Sequence, residues 1–293
     1  MSLKYITLSN EETLAYREQG AGDKTLILVH GNMTSSQHFD VLLEALPKNL
    51  KVYAVDLRGF GGSSYKTRVN HLKDFSDDIK LFVDALNIKT FSLAGWSTGG
   101  GIAMQYVIDH PEDVEKLVLI ESVGISGYPI FRKDDSGQPI IGDFLTTKEE
   151  LENDAVQVLP ILNAYKNEDK NTLKAIWNML IYTTKQPDEK QYDIYLDDML
   201  TQRNLVDVDY ALMYFNISPS HNGVVEGSGR VSEIKTPTLV FQGKNDLVVP
   251  QMMGDGIYEA LKEHATYIQH DGGHSPLIDD LESLNNHIVN FIK

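Results

Sequence analysis

The stretch 89–101, Lys-Thr-Phe-Ser-Leu-Ala-Gly-Trp-Ser-Thr-Gly-Gly-Gly, constrains the fold of this chain more than any other. Phe91, Leu93 and Ala94 form a short apolar run of strand type, and a helical pattern through Ile102, Met104, Tyr106 and Val107 follows. Between them stands Gly95-Trp96-Ser97-Thr98-Gly99. A serine on so tight a strand-to-helix turn is forced into a strained backbone conformation. Its glycines are needed because side chains there would strike the neighbouring strand or helix. The strain holds the hydroxyl in the open at the carboxyl end of a sheet, with a helix N-terminus behind it. A glycine-rich turn merely capped by serine is the plainer reading, but it does not account for strand before, helix after and three glycines in a row.

The rest of the chain supplies the sheet. Lys4 to Leu8 and Leu14 to Glu18 are expected to pair as edge strands around an Asn10-Glu11-Glu12 turn. Thr25 to Val29 is a continuous apolar run, which marks a strand buried on both faces. A helix is expected over Ser36 to Leu46, a strand at Val52 to Leu57, then a helix through Leu72, Phe75, Ile79, Phe82, Val83 and Leu86. Leu117 to Ile120 gives a further buried strand. Alternation of this kind predicts an α/β fold, a mostly parallel central sheet flanked by helices. From 124 to 233 the alternation stops and only helical patterns and turn clusters such as Asp134-Asp135-Ser136-Gly137 remain. It resumes with strands at Thr238 to Phe241 and Thr266 to Gln269 and a last amphipathic helix. The expected division is a core of 1–123 and 234–293 carrying a helical insertion at 124–233.

Composition removes several function classes. A net charge of −16 repels nucleic acid and anionic membrane surfaces. The chain has no cysteine, which excludes disulfides, thiolate zinc sites and cysteine nucleophiles. The histidines are scattered without pairing at helical spacing, so no metal site is expected. No signal-peptide core and no apolar run of roughly eighteen residues is visible, which predicts a soluble cytoplasmic protein.

A serine nucleophile needs a base, a group that orients the base, and donors for an oxyanion. In open α/β sheets these come from loops at the carboxyl ends of strands. Asp246 follows the strand at 238–241 and His274 follows the strand at 266–269, giving the chain order Ser97, Asp246, His274. Together with His30-Gly31, Asp-Leu-Arg-Gly-Phe-Gly-Gly-Ser at 56–63, Gly-x-x-Asp at 243–246 and Gly-Gly-His at 272–274, this chain resembles the α/β-hydrolases over nearly its whole length. It is similar to those with a cap inserted after the sixth core strand, the carboxylesterase, cofactor-free haloperoxidase and carbon–carbon bond hydrolase branches.

The resemblance implies Ser97 as nucleophile, His274 as base and Asp246 as orienting acid, with the backbone N–H groups of Asn32 and Thr98 as oxyanion donors. Glu121, after the strand at 117–120, competes for the acid's role, because some related hydrolases take their acid there. His270 is expected to close its strand, His30 to bond loop backbone, and His38 and His110 to lie on helix surfaces or ends. The segment 124–233 is rich in aromatic residues and methionine, including Trp177 and Tyr195. These two, with Met33 and Trp96 from below, are expected to form an apolar pocket under a lid. The implied activity is cofactor-free cleavage of a small to medium, neutral or apolar ester through an acyl-enzyme. The same residues would also serve a lactone, the carbon–carbon bond of a diketone, or perhydrolysis; a non-catalytic ligand sensor is the remote alternative. Self-association is left open.

Overall fold

The computed structural model describes residues 1–293. Strands β1 (Lys4–Thr7), β2 (Thr13–Gln19), β3 (Thr25–Val29) and β4 (Lys51–Val55) are followed by β5 (Phe91–Trp96) and β6 (Val114–Ile120). After a pair of short strands, β7 (Phe131–Lys133) and β8 (Pro139–Phe144), come β9 (Thr238–Gly243) and β10 (Ala265–His270). Eight of them form one sheet in the order β1-β2-β4-β3-β5-β6-β9-β10. The six from β4 to β10 in that order run parallel, and β1 and β2 join antiparallel at one edge. The sheet is therefore mostly parallel, and six strands end along one rim.

Helices cover both faces, and the apolar run of β3 shows why. Ile27 and Val29 pack with α2 (Leu72–Ala85) and α3 (Thr98–Asp109), through Phe75, Ile79, Ile102 and Ala103. Leu26 and Leu28 point the other way, toward α1 (Asp40–Ala45) and α11 (Leu281–Phe291), through Leu42, Leu43, Leu284 and Ile288. Period-two alternation places successive side chains on opposite faces, so burial on both faces demands an unbroken apolar sequence. Two further helices, α9 (Gln251–Leu261) and α10 (Pro276–Asp279), flank β10. No helix is long and apolar enough to cross a membrane.

Between β6 and β9 lie α4 (Lys148–Glu152), α5 (Leu159–Lys166), α6 (Lys170–Leu180), α7 (Glu189–Met199) and α8 (Leu205–Tyr214). The β7–β8 hairpin in this segment was not expected from a purely helical reading. Its outer strand is exposed from Pro139 to Asp143, so no apolar run or alternation advertises it. It is held instead by stacking of Phe131 on Phe144, with ring centres 4.6 Å apart, and by the Asp134 turn. Val208, Ala211 and Leu212 of α8 join the same apolar layer as α2 and α3, which ties the segment to the sheet.

The block at 56–63 proves structural. Arg58 forks onto Asp78 of α2, with Nε–Oδ2 at 2.7 Å and Nη2–Oδ1 at 2.6 Å, and both side chains are buried. The Asp56 carboxylate accepts the Ser36 and Gly62 amides at 3.0 and 2.9 Å. These bonds fix the loop after β4 beside the loop after β3.

The turn between β5 and α3 leaves no room for side chains at its glycines. A Cβ on Gly99 would sit 2.2 Å from Val29 O and 2.6 Å from His30 O, and one on Gly95 would sit 2.2 Å from Gly99 O. Neither neighbour can yield, because both are backbone of packed elements. Gly99→Ala is expected to lower stability by at least about 2 kcal/mol in urea unfolding, the upper part of the usual overpacking range. An unchanged midpoint would contradict the close approach.

Candidate active site

Ser97 occupies the turn with φ 57° and ψ −121°, a left-handed conformation that costs a non-glycine residue about 1–3 kcal/mol. Its backbone is held from three sides. The Ser97 N–H donates to Ile120 O at 2.9 Å, and its carbonyl accepts the Gly100 and Val123 amides at 3.0 and 3.2 Å. The side chain is left half-buried, with Oγ facing the loop after β10.

That loop brings His274 in. Its Nε2 lies 3.0 Å from Ser97 Oγ and its Nδ1 lies 2.7 Å from Asp246 Oδ2. The loop is fixed by the Gly273 amide donating to Asp279 at 2.7 Å, and by the Trp96 indole N–H donating to His274 O at 2.9 Å. Asp246 Oδ1 accepts the Val248 and Val249 amides, each at 2.8 Å. Burial alone would push the His274 imidazole down. The Asp246 carboxylate and its hydrogen bond, with Glu121 adding to them, hold it above its ordinary 6.5. Burial likewise pushes Asp246 up, but the attraction of His274 and the two amides outweigh it, and its carboxyl stays below the usual range.

Glu121 lies close to this pair but is bonded elsewhere. Oε1 meets His270 Nε2 at 2.7 Å, and Oε2 accepts Gly243 N–H at 2.7 Å and Gln242 Nε2 at 3.0 Å. His270 Nδ1 accepts the Gly272 amide, so the ring proton sits on Nε2 and is donated to Glu121. Complete burial and the neighbouring Asp246 charge raise the Glu121 carboxyl well above the carboxylate range. The imidazole of His274 thus meets Asp246, and Glu121 secures the start of the Asp246 loop and the end of β10.

Two amides stand next to Ser97. The Asn32 N–H meets no acceptor in the protein, and the Thr98 N–H opens α3, where a helix cannot pair its own first amides. A Cβ on Gly31 would lie 2.9 Å from Ser97 Cβ, so the Asn32 loop runs against the serine. His30 stabilises that loop, with Nδ1 bonded to Gly31 O at 2.8 Å and Nε2 accepting Leu57 N–H at 3.0 Å. Burial drives its pKa down to about 4, which keeps it neutral. The Asn32 side chain reaches the segment between β6 and β9. Its Oδ1 accepts Gln202 Nε2 at 2.7 Å, and its Nδ2 donates to Asp209 Oδ1 at 3.0 Å. Burial pushes the Asp209 carboxyl up to about 7, against the lowering effect of the Asn32 bond.

The expected pocket residues divide. Met33 is half-buried, its amide bonded to Gln202 Oε1 at 3.2 Å, and Trp96 is buried behind the histidine loop. Trp177 and Tyr195, expected as pocket wall, are 2% and 1% exposed and belong to packed core. Tyr195 stacks on His38 with centres 4.2 Å apart and donates its hydroxyl to Asp40. His38, expected on a helix surface, is buried and bonded through Nδ1 to Asp198 Oδ2 at 3.1 Å. The apolar faces of α6 and α7 are legible in the sequence, but spacing does not say whether they meet a pocket or packed core. Gln202 and Asp209 were missed. The signal for Asp209 was present, since Asp207 and Asp209 interrupt the otherwise apolar run 205–214. A cleft of about 800 Å³ lies between the β7–β8 hairpin and α4 and includes none of these residues. No cluster of three or more His, Asp or Glu side chains is arranged to hold a metal ion.

A family model described as alpha/beta hydrolase fold matches residues 24–281. A 2-hydroxy-6-oxononadienedioate/2-hydroxy-6-oxononatrienedioate hydrolase of Klebsiella pneumoniae is 26% identical over 282 residues, covering 93% of this chain and 88% of the relative. An enol-lactonase from Burkholderia xenovorans superposes with TM-score 0.76 at 18% identity, covering 99% of each chain. An esterase from Exiguobacterium antarcticum gives TM-score 0.73 at 20% identity, covering 99% of this chain and 98% of its own.

Two expectations follow from the geometry. The His274 ring, followed by NMR, should titrate with a midpoint above 6.5, and Asp246→Asn should bring the midpoint below that value. A midpoint unmoved by Asp246→Asn would separate the two side chains. Trp177→Ala should destabilise the fold by about 3–5 kcal/mol in denaturant unfolding, as loss of a fully packed indole does; a loss under 1 kcal/mol would return Trp177 to an open wall.

Proposed function

The chain belongs to the alpha/beta hydrolase fold family, and on that premise we propose that it is a serine hydrolase cleaving small to medium carboxylic esters through an acyl-enzyme on Ser97. The observation that carries the reading is the unbroken line Ser97 Oγ–His274 Nε2 at 3.0 Å and His274 Nδ1–Asp246 Oδ2 at 2.7 Å. In this reading Nε2 takes the Ser97 proton as Oγ attacks the ester carbonyl. Asp246 holds the Nδ1–H tautomer and stabilises the imidazolium. The amides of Asn32 and Thr98 receive the oxyanion. His274 then returns the proton to the leaving alcohol, and activates a water that releases the acid. Residues 1–123 and 234–293 carry this chemistry, and 124–233 acts as a cap over it. No cofactor enters any step.

Carbon–carbon bond hydrolysis by the same residues is the second reading, favoured by the 26% identical relative. The name of that relative describes dicarboxylate substrates. The carboxyl of Asp209, one hydrogen bond from Asn32 and with no cation paired to it, opposes a dianion at this position. A ligand sensor has no use for a serine, base and acid all in register, which weighs against that alternative.

Ser97→Ala should abolish turnover of nitrophenyl esters and labelling by a fluorophosphonate while leaving the melting temperature close to wild type. Asp246→Asn should lower kcat by about 10⁴-fold, as loss of the orienting acid does in serine proteases. Glu121→Gln should cost less than about tenfold, because an amide keeps an acceptor for the Gly243 N–H. The logarithm of kcat/KM should rise with pH to a midpoint above 6.5, since the raised imidazole must lose its proton to act as base. A near-dead Glu121→Gln beside an active Asp246→Asn would move the acid's role to Glu121.

A further inference from the structure

Helix α8 carries two aspartates two residues apart, and their surroundings differ. Asp207 meets Arg68 Nη2 at 2.7 Å, Lys148 Nζ at 2.6 Å and the Tyr65 hydroxyl. Asp209 accepts one hydrogen bond, from Asn32 Nδ2 to Oδ1, and no protein donor reaches its Oδ2. Lysine, arginine and histidine side chains are all beyond ion-pair distance. The lysine whose charge it feels, Lys133, is committed to Asp154 at 2.7 Å and to Gln157. Two tyrosine hydroxyls that feel the Asp209 charge also donate elsewhere, Tyr165 to Gln202 Oε1 and Tyr128 to Val248 O, each at 2.9 Å. Asp209 is only partly buried and Oδ2 is not sealed from solvent, so that oxygen is free to take a donor from a bound molecule in place of water.

The place of this carboxyl says what that molecule is. Asn32 is its sole partner, and the Asn32 backbone amide lies against Ser97. One asparagine side chain and one hydrogen bond put the Asp209 carboxyl on the order of 7 Å from that amide. Asp209 keeps accessible surface, as do Met33, Tyr128 and Tyr165, which pack against the small apolar cluster of the inserted segment without being covered by it. Holding Asn32 alone would require only a neutral acceptor, which an asparagine would supply without placing an acid there. The structure assigns Asp209 as a specificity-determining residue: we propose that the substrate cleaved at Ser97 carries a protonated amine that meets Asp209 Oδ2. The assignment rests on the serine-hydrolase reading for the bond broken, and on the Asp209 surroundings for the substrate class. A net charge of −16 draws cations toward the protein while repelling anions.

The test uses nitrophenyl esters of straight-chain acids bearing an ammonium two to five carbons from the carbonyl, each beside its methyl isostere. Wild type should prefer at least one ammonium ester over its isostere by about tenfold or more in kcat/KM, as sites built around a specific polar contact do. Asp209→Asn, which keeps an acceptor for Asn32, should bring that ratio toward one, and Asp209→Glu should restore part of it. A wild type that turns over both kinds of ester without preference, or an Asp209→Asn that keeps the preference, overturns the assignment, and the wild-type arm decides even if the variant fails to fold. Calorimetry of n-butylammonium with Ser97→Ala, and with Ser97→Ala/Asp209→Asn, separates the two readings. Asp209-dependent binding with no turnover of any ester by wild type supports the Asp209 assignment and overturns the hydrolase reading. Turnover of the methyl esters without ammonium preference or binding does the reverse.

Discussion

Ser97 sits at φ 57°, where a side chain other than glycine pays in backbone strain, and the rest of the protein is arranged so that it cannot relax. The strand before it and the helix after it are both packed, so the turn cannot lengthen. Its amide and carbonyl are bonded to Ile120, Gly100 and Val123, which come from its own helix and from the neighbouring strand and its loop. The same confinement requires hydrogen in place of a side chain at Gly95 and Gly99, and at Gly31 where the neighbouring loop passes. Three separate sequence positions thus answer to one dihedral angle. What is gained is a hydroxyl fixed at the rim where six parallel strands end, within reach of every loop that leaves that rim.

The second constraint is electrostatic. Asp246 and Glu121 are both buried beside His274, and a site of low dielectric does not hold two carboxylate charges cheaply. The structure resolves this by giving the charge to the oxygen pair that faces the imidazole. Asp246 receives two amides and the Nδ1 side of His274, and its carboxyl stays ionised. Glu121 is left with the higher proton affinity and spends its oxygens on Gly243, Gln242 and His270. Two histidine–carboxylate pairs stand side by side, and only one of them reaches Ser97.

The sheet, the turn and the residues now found around Ser97 could be read from sequence because each rests on local chemistry. A buried parallel strand must be apolar throughout, as Thr25 to Val29 is, and a strained turn must carry glycines. The β7–β8 hairpin left no such mark, because its outer strand is exposed and its hold is a single aromatic stack. Trp177, Tyr195 and His38 were misplaced for a related reason. Helical spacing says that residues share a face, but three helices packed in one layer each have two apolar neighbours, and spacing does not choose between them. Asp209 was passed over since a charged residue within an apolar helix reads as a solvated face until its partners are seen.

The inserted segment is bonded to the loop after β3. Asn32 holds its backbone toward Ser97 and its side chain in a ring of bonds with Gln202 and Asp209, and Gln202 in turn receives the Tyr165 hydroxyl and the Met33 amide. Each of those partners except Met33 belongs to 124–233. The conformation of the loop after β3 is therefore set jointly by β3 and by α5, α8 and the turn before α8. The segment 124–233 is thereby coupled to the loop that carries the Asn32 amide past Ser97. Rigid support of that amide matters because a donor displaced by a fraction of an ångström loses much of its hold on a developing oxyanion. An insertion free to swing open would leave the Asn32 side chain without its acceptor and its donor at once. The network instead holds the loop in one position, with Met33, Tyr128 and Tyr165 partly exposed where they pack on the small apolar cluster of the inserted segment.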